Sequence, residues 1–134
     1  MHPHMRISFL TTSYPNTSEP ARGIFLSHLA GALKKNHVTI DIITPHGFRP
    51  LTTGNGILPN IQSNWLAALL FIPYTITFLY DILTKTRHAD LIHANWSYTA
   101  FLALLTKPFH HKKILLTERS SHLIQTTNPL LKKL

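Results

Sequence analysis

The chain predicts an α/β domain, a Rossmann-like doubly wound parallel sheet, on three observations. Short apolar runs of strand length recur at Ile7–Leu10, Val38–Ile43, Asp90–His93 and Ile114–Thr117. Segments with helical spacing or continuous apolar character lie between them. Each run turns polar at its carboxyl end, the end at which a parallel sheet opens its ligand crevice.

From Arg6 to His46 the chain reads as strand, polar loop, amphipathic helix and second strand. The helix is expected over about Ile24 to Lys35, with Phe25, Leu29, Ala32 and Leu33 as its core stripe. Ser18 before Glu19-Pro20 looks like a helix start, because serine caps and proline tolerates the first turn. Asn36-His37 should end the helix, with Asn36 taking the left-handed conformation. Gly47 to Asn60 is rich in glycine and proline and reads as a long loop.

No charge occurs from Pro50 through Tyr80, and Trp65 to Tyr80 is nearly continuous apolar sequence. A spanning helix needs ~20 such residues, so a helix kinked at Pro73 and buried or interfacial is expected instead. Trp96 to Leu105 should be a helix ended by Lys107-Pro108, with His110 to Lys113 a solvated turn. The segment from Ser120 reads as loop or helix.

Length bounds the rest: 134 residues hold one domain and one core. A flexible tail is expected over Met1–His4, followed by the domain at residues 5–134. With no cysteine, disulfide and thiolate–metal chemistry are excluded. A formal charge of +8 suits an anionic membrane surface or phosphorylated ligands. The basic residues lie singly or in pairs without interleaved aromatics, so nucleic acid is not the expected partner.

The strand ends carry Thr12-Ser13, Thr44-Pro45-His46, His93-Ala94-Asn95-Trp96 and Thr117-Glu118-Arg119-Ser120-Ser121. Together they describe a small-molecule cleft. Neither a dinucleotide fingerprint nor a P-loop is present, and there is no G-x-S-x-G elbow; no cofactor and no metal are expected. Gly23 reads either as a close-approach point for a phosphate near a helix start or as an ordinary turn residue. His93 is a candidate base or a hydrogen-bonded structural histidine. Trp96 would stack on a sugar or fill the core, and Arg22 and Arg119 would fork onto an anion or lie at the surface.

In order and spacing, Tyr14-Pro15, Arg22-Gly23-Ile24-Phe25, Leu33 to Ile40, and Thr44-Pro45-His46 resemble the opening of family 4 glycosyltransferases of the GT-B fold. Asp90-Leu91-Ile92-His93-Ala94-Asn95-Trp96 is similar to that family's "D-x-I-H-A-x-x" strand end. Leu116-Thr117-Glu118-Arg119-Ser120-Ser121 stands where the family has "T-x-H-G" or "T-E-H-S". The resemblance spans roughly Met5 to His122 and implies the N-terminal, acceptor-side domain, incomplete at its C-terminal end.

It further implies transfer of a sugar from a nucleotide-sugar donor to a glycan or lipid-linked acceptor. The expected setting is cytoplasmic, peripheral at the inner face of a membrane. Gly23 and Arg22 would approach the donor phosphates, while His46, Asn95, Trp96 and Glu118 would line the acceptor side. His93 and Arg119 would be the catalytic positions, although arginine stands where the family has histidine and cannot serve as a general base. Lacking the donor-binding half, the chain alone is expected to be inactive. The rival expectation is a non-catalytic membrane-surface or protein-binding module using the uncharged segment and the positive charge.

Overall fold

A computed structural model describes residues 4–17, 19–52 and 56–118. Four strands form one all-parallel sheet: β1 (Arg6–Leu10), β2 (Thr39–Ile43), β3 (Leu91–Asn95) and β4 (Lys113–Thr117), in the order β2-β1-β3-β4. Phe9 pairs with Ile42 on one side and His93 on the other, and Asn95 pairs with Thr117. The expected α/β sheet is therefore present, with strands where the apolar runs place them.

Helices cover both faces. Alternation along β1 sends Ile7 and Phe9 toward α1 (Ile24–Lys35), where they meet Leu26, Ala30 and Ile40. The opposite face carries Leu10, Ile43 and Ile92 against α4 (Trp65–Lys85) and α5 (Ser97–His110). The stripe of α1 is centred on Leu26 and Ala30, with Phe25, Leu29 and Leu33 flanking it and Ala32 exposed.

Several boundaries differ from the sequence expectation. Helix α1 starts only at Ile24, after a turn at Pro20–Gly23; Ser18 lies outside the described residues. It is His37, at φ 63°, and not Asn36 that takes the left-handed conformation after the helix. The expected loop holds α2 (Arg49–Thr52) and α3 (Ile57–Ser63). Pro50 and Pro59 sit in the first turns, where proline has no intrahelical bond to lose, and Asn60 Nδ2 donates to the Leu51 carbonyl at 2.7 Å.

Both long helices pass through a proline. Helix α4 includes Pro73 and α5 includes Pro108, past the end expected from the sequence. Each costs one intrahelical bond, and the residues four before, Leu69 and Leu104, are exposed, so water can satisfy their carbonyls. His110 belongs to this helix and not to a solvated turn. Its Nε2 lies 3.0 Å from the Ala103 carbonyl, and its Nδ1 accepts from the Lys112 N–H at 2.9 Å.

Candidate functional site at the strand switch point

The chain leaves β1 toward β2 on one side and returns to β3 on the other. Connections diverge there, so the carboxyl ends of β1 and β3 flank a crevice not bridged by a crossover. Thr11, Thr12 and Ser13 lie on the β1 side and are all buried. Thr11 Oγ1 donates to the Ser13 carbonyl at 2.8 Å and accepts from the Ser13 N–H at 3.0 Å, which fixes the turn.

Across from it, the Asn95 amide donates from Nδ2 to the Leu10 carbonyl at 3.3 Å and to the His93 carbonyl at 3.4 Å. Both partners are acceptors, which sets the amide orientation and leaves Oδ1 with no donor. Asn95 Oδ1 and Thr12 Oγ1 are buried side-chain atoms without a hydrogen-bond partner. Such atoms cost free energy unless something satisfies them.

Trp96 follows Asn95 at φ 84° and ψ 151°, a region that glycine tolerates and a tryptophan does not favour. The conformation is held from both sides: the Trp96 N–H donates to the Thr117 carbonyl, and its own carbonyl accepts from Thr99 and from the Ala100 N–H. The residue under strain is the link between the carboxyl end of β3 and the start of α5.

Gly23 and Arg22 belong to the wall of this site. A Cβ on Gly23 would stand 2.5 Å from the Ser13 carbonyl oxygen, and its φ of 62° is left-handed. The glycine is thus required by backbone packing against the crevice loop. Arg22 donates from Nε to Ser13 Oγ at 3.1 Å and pairs through one terminal nitrogen with Glu19 at 2.8 Å. Its charge is partly spent on positioning the loop.

Helices α4 and α5 add further polar side-chain atoms from Tyr74, Thr75 and Tyr98. Tyr98 and Thr75 share a hydrogen bond of 2.8 Å between α5 and α4. Tyr74 is fully buried, its ring edge-on to Phe48 and its hydroxyl unpartnered. Burial pushes the Tyr74 phenol well up, with a further push from Tyr98 and an opposing pull from the Arg22 charge. Tyr98 is also raised by burial, against the hydrogen bond from Thr75. Both are neutral donors at ordinary pH.

The remaining expected site residues divide. His46 is exposed just beyond β2. His93 is buried within the sheet, its ring edge-on to Phe9 with centroids 4.9 Å apart and its Nε2 2.7 Å from Thr117 Oγ1. In this position the His93 ring links β3 to β4 through Thr117. Glu118 accepts from both the N–H and the hydroxyl of Ser97, so its carboxylate sits at the N-terminus of α5, where the helix dipole favours a negative charge. Arg119 lies outside the described residues, and among those no three His, Asp or Glu side chains gather to hold a metal. No protein-family model and no curated protein matches the chain.

Proposed function

We propose that this domain is the acceptor-side half of a glycosyltransferase, moving a sugar from a nucleotide-sugar to a glycan or lipid-linked acceptor. The observation that carries the reading is the pair of buried oxygens without a partner, Asn95 Oδ1 and Thr12 Oγ1, at the carboxyl ends of β3 and β1 beside the switch point. A polyol supplies O–H donors to both, and Thr12 can donate in return. Trp96, the residue after Asn95, supplies an aromatic ring of the kind sugars stack on. The order of the strand-end motifs supports the same reading.

In this scheme the domain's work is positioning. Asn95 and Thr12 hold acceptor hydroxyls, and Trp96 shields one sugar face from water. The acceptor oxygen then displaces the nucleoside diphosphate at the sugar carbon, and its proton leaves for a base. His93 Nε2 is already engaged by Thr117, so His93 acts by holding β3 to β4. Groups on the donor side would have to come from a second domain.

The reading is tested by nuclear magnetic resonance titration of the purified chain with oligosaccharides and, separately, with uridine diphosphate glucose. Oligosaccharide shifts centred on Thr12, Asn95 and Trp96, and lost in Asn95→Asp, are expected. A crevice silent to a panel of neutral and anionic glycans would overturn the proposal. Sugar transfer by residues 1–134 alone would overturn its division of labour.

A further inference from the structure

Helix α4 has two apolar faces. Ala67, Tyr74, Phe78 and Ile82 are buried in the core, while Leu69, Ile72, Ile76 and Tyr80 are 55, 61, 62 and 66% exposed. The spacing of three and four residues makes the exposed set one continuous stripe. Next to it, α5 presents Phe101, Leu104, Leu105 and Phe109 at 58, 57, 52 and 74% exposure. A surface helix ordinarily turns charge to water on this face, and α4 carries none from Trp65 to Tyr80. Neighbouring apolar stripes on two packed helices mark a surface that something covers.

Charge indicates what that is. Where α4 and α5 end, at the amino ends of the strands, Arg87, His88, Lys107, His111, Lys112 and Lys113 cluster. The nearby acids are committed: Asp81 pairs with Lys85 at 3.3 Å, and Asp90 accepts the Arg6 N–H at 2.8 Å. A cleft of about 400 Å³ lined by Leu83, Arg87, Phe109, His110 and Lys112 joins the basic end to the apolar stripes.

We propose that the α4–α5 face docks on a bilayer containing anionic phospholipid, headgroup phosphates meeting Arg87 and Lys112 and acyl chains meeting Leu83 and Phe109. The two helices lie in the plane of the interface, as amphipathic surface helices do. Helix α4 is long and apolar enough to cross a bilayer, but crossing would strip Tyr74, Phe78 and Ile82 from the core they fill. A second copy would bring another +8 against the first, whereas an anionic surface neutralises it. The crevice at the opposite end of the strands stays outside the docked face.

Flotation of the purified protein with phosphatidylcholine vesicles, with and without phosphatidylglycerol, is the test. Binding that requires phosphatidylglycerol and is released by salt and by carbonate is expected. Arg87→Gln with Lys112→Gln should weaken partitioning about 30-fold. Ile76→Asp with Phe101→Asp should abolish it with no change in circular dichroism melting, because both side chains are on the outside. Binding indifferent to phosphatidylglycerol, binding unchanged in either double variant, or carbonate-resistant insertion would each overturn the proposal. So would a dimer, by light scattering, that the Ile76→Asp variant splits.

Discussion

Asn95 on β3 reaches across to β1 and donates its amide to the Leu10 carbonyl at 3.3 Å, closing the base of the switch point while its own Oδ1 stays unmatched. One side chain thus ties two strands together and keeps a buried acceptor without a donor. Asn95→Asp removes the donor and buries a carboxylate beside two carbonyls. It should destabilise the fold by about 2–4 kcal/mol, read by urea unfolding. An unchanged midpoint would show that the amide does not join the strands.

Gly23 gives a second outcome. The Cβ of Gly23→Ala would meet the Ser13 carbonyl, and the left-handed φ adds roughly 1–2 kcal/mol of its own. Stability should fall by at least about 2 kcal/mol, and resonances of Thr11 to Ser13 should move, because the loop must yield. Gly31, with open space around it, is the control; Gly31→Ala should be neutral or stabilising by up to about 1 kcal/mol.

His93→Ala separates a structural histidine from a base. Deleting the ring opens a gap against Phe9 and leaves Thr117 Oγ1 without its 2.7 Å partner. A loss of about 2–3 kcal/mol in unfolding free energy is expected, with oligosaccharide affinity of the folded fraction unchanged. Unchanged stability together with lost ligand binding would return His93 to the crevice.

The strands and the two long helices were legible because their signals are local. Runs such as Val38–Ile43 are apolar except for Thr39 and Asp41, and Trp65–Tyr80 is an apolar run too long for an ordinary strand. Helices α2 and α3 were not legible, since Pro50, Gly56 and Pro59 signal turns equally well and the Asn60–Leu51 contact that joins them is visible only in three dimensions. For the site, the sequence located the strand ends but not who occupies whom. The β3–β4 register sets Asn95 opposite Thr117, and this brings Glu118 onto Ser97 and Thr117 onto His93. Tyr74 and Tyr98 were hidden because a tyrosine in an apolar helix reads as core until its hydroxyl is seen.

His110 predicts a pH dependence. Burial lowers its pKa from the usual 6.5, and the nearby His111, Lys107 and Lys112 charges add to this against the Ala103 hydrogen bond, which raises it. The unfolded chain therefore takes up this proton first as pH falls. Stability from this group is full above about pH 6.5 and declines as pH drops through the unfolded value toward the folded one. His110→Gln should flatten that decline in a urea series from neutral to mildly acidic pH. An equally steep decline in the variant would assign it to other groups.

Trp96 joins stability to function most directly. At φ 84° and ψ 151° a non-glycine residue carries strain of about 1–3 kcal/mol. At an ordinary position glycine is less stable than alanine, by roughly 0.5–1 kcal/mol in a helix or strand. Here the order should reverse, Trp96→Gly exceeding Trp96→Ala in unfolding free energy by about 1–2 kcal/mol, because only glycine occupies this backbone freely. Both variants lose the indole, so both should lose oligosaccharide-induced shifts at Thr12 and Asn95. If alanine proves the more stable, the backbone is not strained at this position. If both variants bind oligosaccharide as tightly as the parent, the indole does not form the stacking surface. The expected combination, relief of strain with loss of ligand, would mean that the fold carries the cost of this conformation to hold an aromatic plane over the crevice.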